Sequence, residues 1–568
     1  MYNEPVAINL PLQAANETET KIDEDPPPYQ NPQLDFSGGW KNHRFAIFFW
    51  IHTIAVILVS IKLGIPVIAP YIKHNAFGKS EQISSNRDIK PLLCGLGGAA
   101  TVGGLVSFLS FIALQLCAGQ LIKCSFFVMI IIQVLFGILL LLVHWPLAIA
   151  PGILLLFTLI YFLCVQKRIS FAQAHLQAGC AGLHSHPSLI LIALVLIIVE
   201  FLWFVFWFLM VLGIQHASNN SISIIKINTI RNVNNATTFT VVNTKPIRLM
   251  TSTSITDTKI HSINDTTYLT IENSKTRKNT IHSFYEELKR MNRKRTSNPS
   301  TEEWYSIYLH RFILFLLLFS WYWGAVTFGN IIHFITACSI GHWWFPIEVS
   351  QQYTIGTSIK RAFTTNFGTI CFGSFFEAII KALSSSTKEH RRKSILSCIF
   401  GCILQMIDDC IGYLNEWAFI YAALTGQGFV QASRSFLTLF QARGWTAIIN
   451  DSLVGTTLFM INFVIGVISA VAGGFIAYFM MVESTEQIRF TIIIVLISFF
   501  IGLCMSTIIT TILKSCVRTI FVCFALNPAA LGATHPDHLQ SLTKVWHEVY
   551  PQEFSDSGYI NPYKETMV

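Results

Sequence analysis

The chain has 568 residues, of which only 12% are charged and 52% belong to the hydrophobic set, and its mean hydropathy is +0.52. Soluble domains carry about 25% charged residues, so this composition excludes a string of soluble domains and predicts a polytopic membrane protein. The formal net charge of +8 is divided among short clusters. It therefore forms no continuous basic face of the kind that binds nucleic acid.

Residues 1–44 form a polar and acidic segment that we predict to be a disordered cytosolic tail. Its apolar content is too low to support a packed core. Within it, Pro26, Pro27 and Tyr29 belong to a PPxY sequence, which is a polyproline-type ligand for WW domains. One interpretation is that the tail recruits a WW-domain ubiquitin ligase, and the other is that it is a proline-rich spacer.

Ten apolar runs follow the tail, and a membrane-spanning helix requires about 20 such residues. The runs are 45–68, 91–116, 124–143, 146–165, 188–212, 307–338, 363–383, 395–424, 453–480 and 490–513. They predict an all-α integral membrane protein with about ten transmembrane helices, five within residues 45–212 and five within 307–513. An even number of crossings places both termini on one side of the membrane.

Basic residues cluster at alternate ends of these runs. The pairs that follow the fourth, sixth and tenth runs are Lys167 and Arg168, Lys360 and Arg361, and Lys514 and Arg518. Because cytoplasmic loops carry an excess of Lys and Arg, we expect these ends, both termini and the C-terminal tail 514–568 to be cytoplasmic. Lys388 and Arg391 fall on the opposite side in this assignment, which leaves open whether run seven is re-entrant.

The polar stretch 213–306 separates runs five and six, and we predict that it is a long extracellular loop. It contains three Asn-x-Ser/Thr sequons, at Asn219, Asn235 and Asn264, which accept N-glycans when they face outward. We expect a glycosylated loop that either holds short strands or is mostly irregular. Its residues suggest no chemistry.

Small residues recur at every fourth position near the start of run two. Gly95, Ala99 and Gly103 share one face of the predicted helix. Such a flat strip lets a second helix approach closely within a membrane. We therefore expect this face to be a helix-packing surface.

Run five contains an acidic residue surrounded by apolar ones. An ionisable group inside a membrane helix costs roughly 2.5–3.5 kcal/mol on insertion scales, so each one is a candidate functional residue. Glu200 has Trp203 and Trp207 on its helix face, at i+3 and i+7. A carboxylate beside two indoles suits a quaternary ammonium through charge and cation–π attraction. The alternative is a packed tryptophan stripe in which Glu200 bonds to a neighbouring helix.

Runs seven and eight contain a second group of candidate residues. Glu377 and Lys381 are four residues apart in the order that favours an internal ion pair. Asp408, Asp409 and Asn415 form the densest polar group in the predicted spans. They either bind a cation or a proton, or they mark a break between an interfacial helix and a span. The predicted substrate-binding residues are therefore Asp408, Asp409 and Asn415 here, and Glu200, Trp203 and Trp207 on run five.

The sequence contains no arrangement that predicts an enzyme. It has no nucleophile with a base at the expected spacing, no CxxC pair and no complete P-loop. We therefore predict no catalytic residues, no cofactor and no metal. The tail sequence from His535 to His538 lacks further ligands and is interpreted as a solvated turn.

Residues 415–426 resemble the Asn-x-x-Ala-aromatic…Ala-x-x-Gly segment of the choline transporter-like (CTL) family. The Phe-Gly-Ser at 372–374 with Ala-Leu at 382–383 is similar to a second segment of that family. Residues 448–453 resemble the Ile-Asn-Asp-x-Leu stretch of its fungal branch, the pH nine-sensitive proteins. The resemblance implies about ten helices, cytosolic termini, a plasma-membrane location and transport of choline or a related small solute.

These observations lead to two functional hypotheses. The first is a plasma-membrane carrier for choline or a related small organic cation, working by facilitated diffusion or by coupling to an ion gradient. Its partners are the lipid bilayer and that solute. The second is a pH- or membrane-responsive channel-like or regulatory protein that does not carry choline.

Overall fold

The computed structural model describes residues 39–70, 86–227, 230–233, 236–241, 258–263, 266–271, 301–345, 355–388, 395–443, 446–480, 487–551 and 554. Their helices are α1 His43–Val59, α2 Asn86–Val143, α3 Ile149–Val165, α4 Ile169–Ser185, α5 Ser188–Ile227, α6 Thr301–Trp344, α7 Ile355–Phe363, α8 Phe367–Lys388, α9 Ile395–Thr425, α10 Phe429–Arg443, α11 Thr446–Met480, α12 Gln487–Leu526 and α13 Pro536–Val549. Pro26, Pro27 and Tyr29 of the predicted WW ligand lie outside the described residues.

Within these ranges, eight helical segments are long and apolar enough to cross a membrane. They are His43–Pro70, Leu92–Val143, Ile149–Ser185, Ser188–Ala217, Arg311–Trp344, Phe367–Ser386, Ser452–Met480 and Ile488–Leu526. The sequence predicted about ten, and the two counts differ at two places. Runs two and three fall in one continuous segment, α2, whose two helical parts meet at a kink, and run eight, which carries Asp408 and Asp409, forms α9 but is not one of the eight.

Helix α2 consists of two helical parts that meet at a kink between runs two and three. Cys117 has non-helical backbone angles (φ −137°, ψ 40°). Beyond the bend, α2 pairs with α3: the rings of Phe126 and Phe162 are 5.2 Å apart, and Gln133 Nε2 donates to Thr158 Oγ1 at 3.0 Å. Residues 118–165 therefore form a helical hairpin, called here the 118–165 hairpin.

The start of α1 and the end of α12 lie at the same end of the helical bundle. Three contacts connect them: Lys41 N to Thr365 O (3.3 Å), Arg361 Nη1 to Cys338 Sγ (3.3 Å) and Trp344 Nε1 to Asn527 O (2.9 Å). We call this the proximal end and the opposite one the distal end. An even number of crossings would produce this arrangement.

Between α5 and α6 the chain forms a four-stranded antiparallel sheet. Its strands are β1 Ile230–Val233, β2 Ala236–Val241, β3 Thr258–Ile263 and β4 Thr266–Ile271, in the order β1-β2-β4-β3. Phe239 of β2 is paired with Leu269 of β4. The predicted all-α architecture thus describes the membrane helices, and the insert adds strands. Asn219 lies in the last turns of α5, whereas Asn235 and Asn264 lie outside the described residues.

The small-residue strip of α2 packs against α11 and α12. A Cβ atom built on Gly103 would lie 2.7 Å from Ser469 Oγ and 3.3 Å from Gly502 Cα. One built on Gly95 would lie 3.1 Å from the carbonyl oxygen of Gly473. These distances leave no room for a side chain, so the strip brings three helices into close contact.

Replacing Gly103 by leucine is expected to destabilise the bundle, because overfilling a packed interior costs about 1–3 kcal/mol. Gly104 provides a matched control, since a Cβ there would have no neighbour within 4 Å. The measurement is the apparent melting temperature of each purified variant in detergent. Gly103→Leu should melt below the wild type and Gly104→Leu close to it; equal melting temperatures would contradict this packing.

Candidate functional site

Four polar side chains from α8 and α9 meet inside the helical bundle. Lys381 Nζ lies 3.5 Å from Glu377 Oε1 and 3.2 Å from Asp408 Oδ1. Asn415 Nδ2 donates to Glu377 Oε2 at 3.0 Å and points toward Gly373 O at 3.4 Å. We call Glu377, Lys381, Asp408 and Asn415 the α8–α9 cluster. The sequence placed these residues in two separate groups, and the packing of the two helices joins them.

The position of this cluster is close to the middle of the predicted membrane. Glu377 lies ten residues after Phe367, the first residue of α8, which is about 15 Å along the helix axis. The hydrocarbon core of a bilayer is about 30 Å thick. Glu377, Asp408 and Asn415 are all buried, with 7–8% of their surface exposed.

The charges in the cluster do not balance. Two carboxylates contact one ammonium group, so the formal sum is negative. In a site of reduced dielectric constant, unit charges a few ångströms apart interact by several kcal/mol. The excess negative charge therefore favours the approach of a further cation.

Asp409 differs from its neighbour Asp408 in its surroundings. Its side chain is exposed, and its Oδ1 accepts a hydrogen bond from Gln405 Nε2 at 3.1 Å. Gln405 Oε1 in turn accepts from Ser384 Oγ at 3.3 Å. The structure thus brings Asp408 into the cluster and leaves Asp409 beside it, on the outer face of α9.

Glu200, Trp203 and Trp207 lie on α5, against α6. Trp203 is buried, and its Nε1 donates to Trp321 O at 3.3 Å. Trp207 Nε1 donates to Leu317 O at 2.9 Å. Both indoles therefore hold α5 against α6. Glu200 is half-buried and has no hydrogen bond or ion pair with the described part of the chain.

A histidine that the sequence analysis did not single out adjoins these tryptophans. His52 of α1 lies with its ring 5.5 Å from that of Trp203 and 4.9 Å from that of Trp323. Its Nε2 is 2.9 Å from Ser320 Oγ. Because the contact is between α1, α5 and α6, periodicity within one run could not have revealed it.

An ion pair between a buried arginine and a partly buried glutamate links α9 to α12. Arg518, whose side chain is only 2% exposed, forms a salt bridge with Glu416. Its guanidinium also lies over two rings of α9, 4.9 Å from the centroid of Tyr413 and 5.5 Å from that of Trp417. In the sequence, Arg518 indicated only which side of the membrane its helix end faces. Glu416 directly follows Asn415, so the pair fixes the part of α9 that carries the cluster.

A second arginine binds the end of α9. Arg361 of α7 is buried, and its Nη2 donates to Ala423 O at 3.1 Å. Its guanidinium lies 5.8 Å from the ring centroid of Phe334 in α6. Both arginines therefore hold the proximal part of α9 in place. The basic pair Lys360 and Arg361 was the available signal, but the sequence alone did not identify the partner of Arg361.

The C-terminal helix α13 is attached to the proximal end of the bundle. Trp546 Nε1 donates to His175 Nε2 at 3.2 Å, and the Trp546 ring stacks on Phe524 at 4.9 Å. At the start of α13, the ring of His535 lies 4.4 Å from that of Trp343, and the ring of His538 lies 6.0 Å from it. The region predicted as a solvated turn is thus packed against α6.

Burial lowers the pKa of both histidines below the usual value of 6.5. The neighbouring His538 lowers the pKa of His535 further, whereas Asp537 raises that of His538. A histidine whose pKa is lower in the docked state takes up its proton more readily once released. The stability that these contacts contribute is therefore fully present above pH 6.5, and it is lost as the pH falls below that value.

Hydrogen exchange of residues 536–549 is expected to quicken, after correction for intrinsic rates, as the pH falls below about 6.5. The double variant His535→Gln/His538→Gln should remove most of this pH dependence. His547→Gln is the matched control, because His547 is exposed on the same helix. Equal pH dependence in the wild type and the double variant would contradict the assignment.

The described residues contain no group of three or more His, Cys, Asp or Glu side chains that could hold a metal ion. His535 and His538 are 6.4 Å apart between ring centroids, with Asp537 as their only acidic neighbour in the tail sequence.

Comparison with known proteins places the cluster inside a family match. The family model described as plasma-membrane choline transporter matches residues 149–529, which include α8, α9 and α12. The chain is 29% identical to protein pns1 of Aspergillus fumigatus over 244 residues and 32% identical to protein PNS1 of Neurospora crassa over 254 residues. It is also 29% identical to a CTL-like protein of Dictyostelium discoideum over 243 residues.

These alignments are partial. They cover 41%, 42% and 41% of this chain, respectively, and 45%, 44% and 42% of the relatives. The chain therefore spans less than half the length of these three relatives.

Proposed function

Because this chain belongs to the plasma-membrane choline transporter family, we propose that it is a multi-pass carrier that moves choline or a related small organic cation across the plasma membrane. The observation that supports this proposal is the α8–α9 cluster. Its two carboxylates are shared by one ammonium group. A bound monovalent cation would balance the remaining charge.

We assign each residue of the cluster a role. The carboxylates of Asp408 and Glu377 attract the cation. Asn415 donates a hydrogen bond to Glu377 and fixes the orientation of that carboxylate. The ammonium of Lys381 contacts both carboxylates and neutralises one of their two charges. A bound monovalent cation would neutralise the other, so the cluster would be compensated only in the bound state.

Glu200 is a second proposed contact on the path. It lies 12 residues after Ser188, the first residue of α5, or about 18 Å along the axis, at a depth similar to that of Glu377. Trp203 and Trp207 use their N–H groups to bond to α6, and their rings pack against His52 and Trp321, respectively. We therefore assign the contact with the cation to the carboxylate of Glu200, and the two indoles position it. Asp409, which is exposed, is placed outside the binding group.

Facilitated diffusion is sufficient to drive this transport. A singly charged cation gains about 2.3 kcal/mol for each 100 mV of membrane potential that it crosses. An inside-negative potential can therefore accumulate choline without a coupled ion. Coupling to an ion gradient remains the alternative mechanism, and an ionophore that removes the gradient but keeps the potential separates the two.

We also propose that the proximal end faces the cytoplasm. Lys41, Arg44, Lys360 and Lys544 lie at this end, and cytoplasmic surfaces carry an excess of such residues. Both termini would then be cytoplasmic, with the PPxY sequence available to a WW-domain ubiquitin ligase. The 213–306 insert would face outward, with its sequons available for glycosylation.

One observation favours the alternative function of a pH-responsive channel-like or regulatory protein. The packing of His535 and His538 on Trp343 connects a pH-sensitive contact with the end of α6. In this alternative, protonation would alter the bundle without any organic cation passing through it. The family is one of transporters, so neither hypothesis is enzymatic.

Uptake of radiolabelled choline by proteoliposomes that contain the purified chain tests the proposal. A potassium gradient with valinomycin sets the potential, and protein-free liposomes are the control. We expect saturable uptake that rises with an inside-negative potential. The absence of saturable choline flux at any potential would contradict the carrier hypothesis.

A further inference from the structure

A polar cavity lies beside the bend of α2, at some distance in sequence from the α8–α9 cluster. Its volume is about 510 Å³. Six polar side chains contribute to its lining: Gln120, Lys123, Gln166, Lys167, Ser170 and Gln173. The proposed transport mechanism uses none of them.

The charge of this cavity is positive and uncompensated. Lys123 and Lys167 both line it, and no acidic residue does. Moreover, the chain contains no Asp or Glu between Asp88 and Glu200. Neither lysine forms a salt bridge with the described part of the chain, and both side chains are exposed. Two ammonium groups without a protein counter-charge favour an anion.

The 118–165 hairpin brings the two lysines together. The contact between Phe126 and Phe162 closes the open end of the hairpin. Lys123 lies one turn before Phe126, and Lys167 follows the end of α3. Each lysine therefore lies next to the end of a long apolar run, where the headgroups of a bilayer would lie if the hairpin enters the membrane.

The surface next to the cavity is apolar and exposed. Phe127, Leu135, Phe157 and Leu163 of the hairpin have 56%, 61%, 64% and 67% of their surface exposed, respectively. A phospholipid has a charged headgroup and apolar acyl chains. The cationic cavity matches the first and the apolar surface beside it matches the second. A free phosphate ion would use only the cavity.

We propose that this cavity binds the phosphate of an anionic phospholipid, whose acyl chains lie along the exposed surface of the 118–165 hairpin. Lys123 and Lys167 provide the opposite charge. The amides of Gln120, Gln166 and Gln173 donate hydrogen bonds to phosphoryl oxygens, which are strong acceptors. The lipid would thus fix the bend of α2 at Cys117. This inference is independent of the transport proposal.

Native mass spectrometry of the full chain in detergent, titrated with phosphatidylserine or phosphatidylcholine, tests the inference. A basic residue near an anionic lipid surface contributes enough to change affinity about fivefold. We expect tighter binding of phosphatidylserine and a loss of roughly 25-fold in the variant Lys123→Gln/Lys167→Gln. Lys123→Arg/Lys167→Arg should retain binding. Lys544→Gln, which removes a lysine outside the cavity, should bind like the wild type.

Three results would overturn the inference. The first is equal affinity for phosphatidylserine and phosphatidylcholine. The second is unchanged phosphatidylserine binding in the double glutamine variant. The third is displacement of phosphatidylserine by an equal concentration of inorganic phosphate, which would show a free-anion site. If the double variant does not fold, the single variants Lys123→Gln and Lys167→Gln provide the same test, with melting temperature as the check on folding.

Discussion

Replacing Asp408 by asparagine is expected to lower kcat/KM for choline uptake by about tenfold or more, because a loss of ~1.4 kcal/mol of attraction corresponds to a factor of ten. The carboxylate of Asp408 is buried and lies 3.2 Å from Lys381 Nζ. Asparagine keeps the size of the side chain but removes its charge. The cluster would then contain one carboxylate and one ammonium, with no excess charge for the substrate. The measurement is initial-rate uptake in proteoliposomes.

Asp409→Asn is the matched control for this prediction. The two residues are adjacent, have the same side chain and lie on the same helix, but Asp409 is exposed and bonded to Gln405. Its replacement should leave kcat/KM within about twofold, which is the usual range for surface substitutions. Equal losses in the two variants, or a loss only in Asp409→Asn, would contradict the proposed binding group.

Arg518→Ala is expected to be strongly destabilising. Removing one partner of a fully buried ion pair costs roughly 3–5 kcal/mol, and this is an upper bound here because the side chain of Glu416 is 27% exposed. The variant leaves Glu416 without its counter-charge. It also removes the guanidinium from between Tyr413 and Trp417. The contact between α9 and α12 would loosen at the level of the cluster. The measurement is the apparent melting temperature, with the yield of monodisperse protein.

Lys514→Ala is the control for Arg518→Ala, since Lys514 is a basic residue one turn earlier on α12. It is half-buried and should have a much smaller effect. The exchange variant Glu416→Arg/Arg518→Glu should recover part of the lost stability, because it restores a pair of opposite charges. A wild-type melting temperature for Arg518→Ala, or no recovery in the exchange variant, would show that the ion pair does not stabilise the bundle.

Hydropathy was enough to locate most of the membrane helices, because apolar length is what a bilayer requires. It separated runs two and three, and the structure has a non-helical residue, Cys117, between the two helical parts of α2. It could not show that these parts are joined by a kink rather than by a loop, because apolar composition carries no information on the backbone geometry at a junction.

The candidate site was likewise predictable from the sequence only in part. Spacing of four residues was enough to suggest that Glu377 meets Lys381, since such pairs are neighbours on a helix. Two further contacts depend on how α8 packs on α9. Asp408 forms an ion pair with the ammonium of Lys381, and Asn415 donates a hydrogen bond to Glu377. Contacts between distant segments leave no periodic signal. Arg518 and Glu416 were not recognised as a pair for the same reason.

Competition against labelled choline by 3,3-dimethyl-1-butanol, the neutral isostere in which carbon replaces the quaternary nitrogen, shows whether the excess of negative charge within the membrane helices selects a cation. Purified protein should release bound choline to unlabelled choline or tetramethylammonium, but not to the same concentration of the isostere. Equal displacement by the isostere would show that shape rather than charge determines binding, and would contradict the role assigned to Asp408 and Glu377.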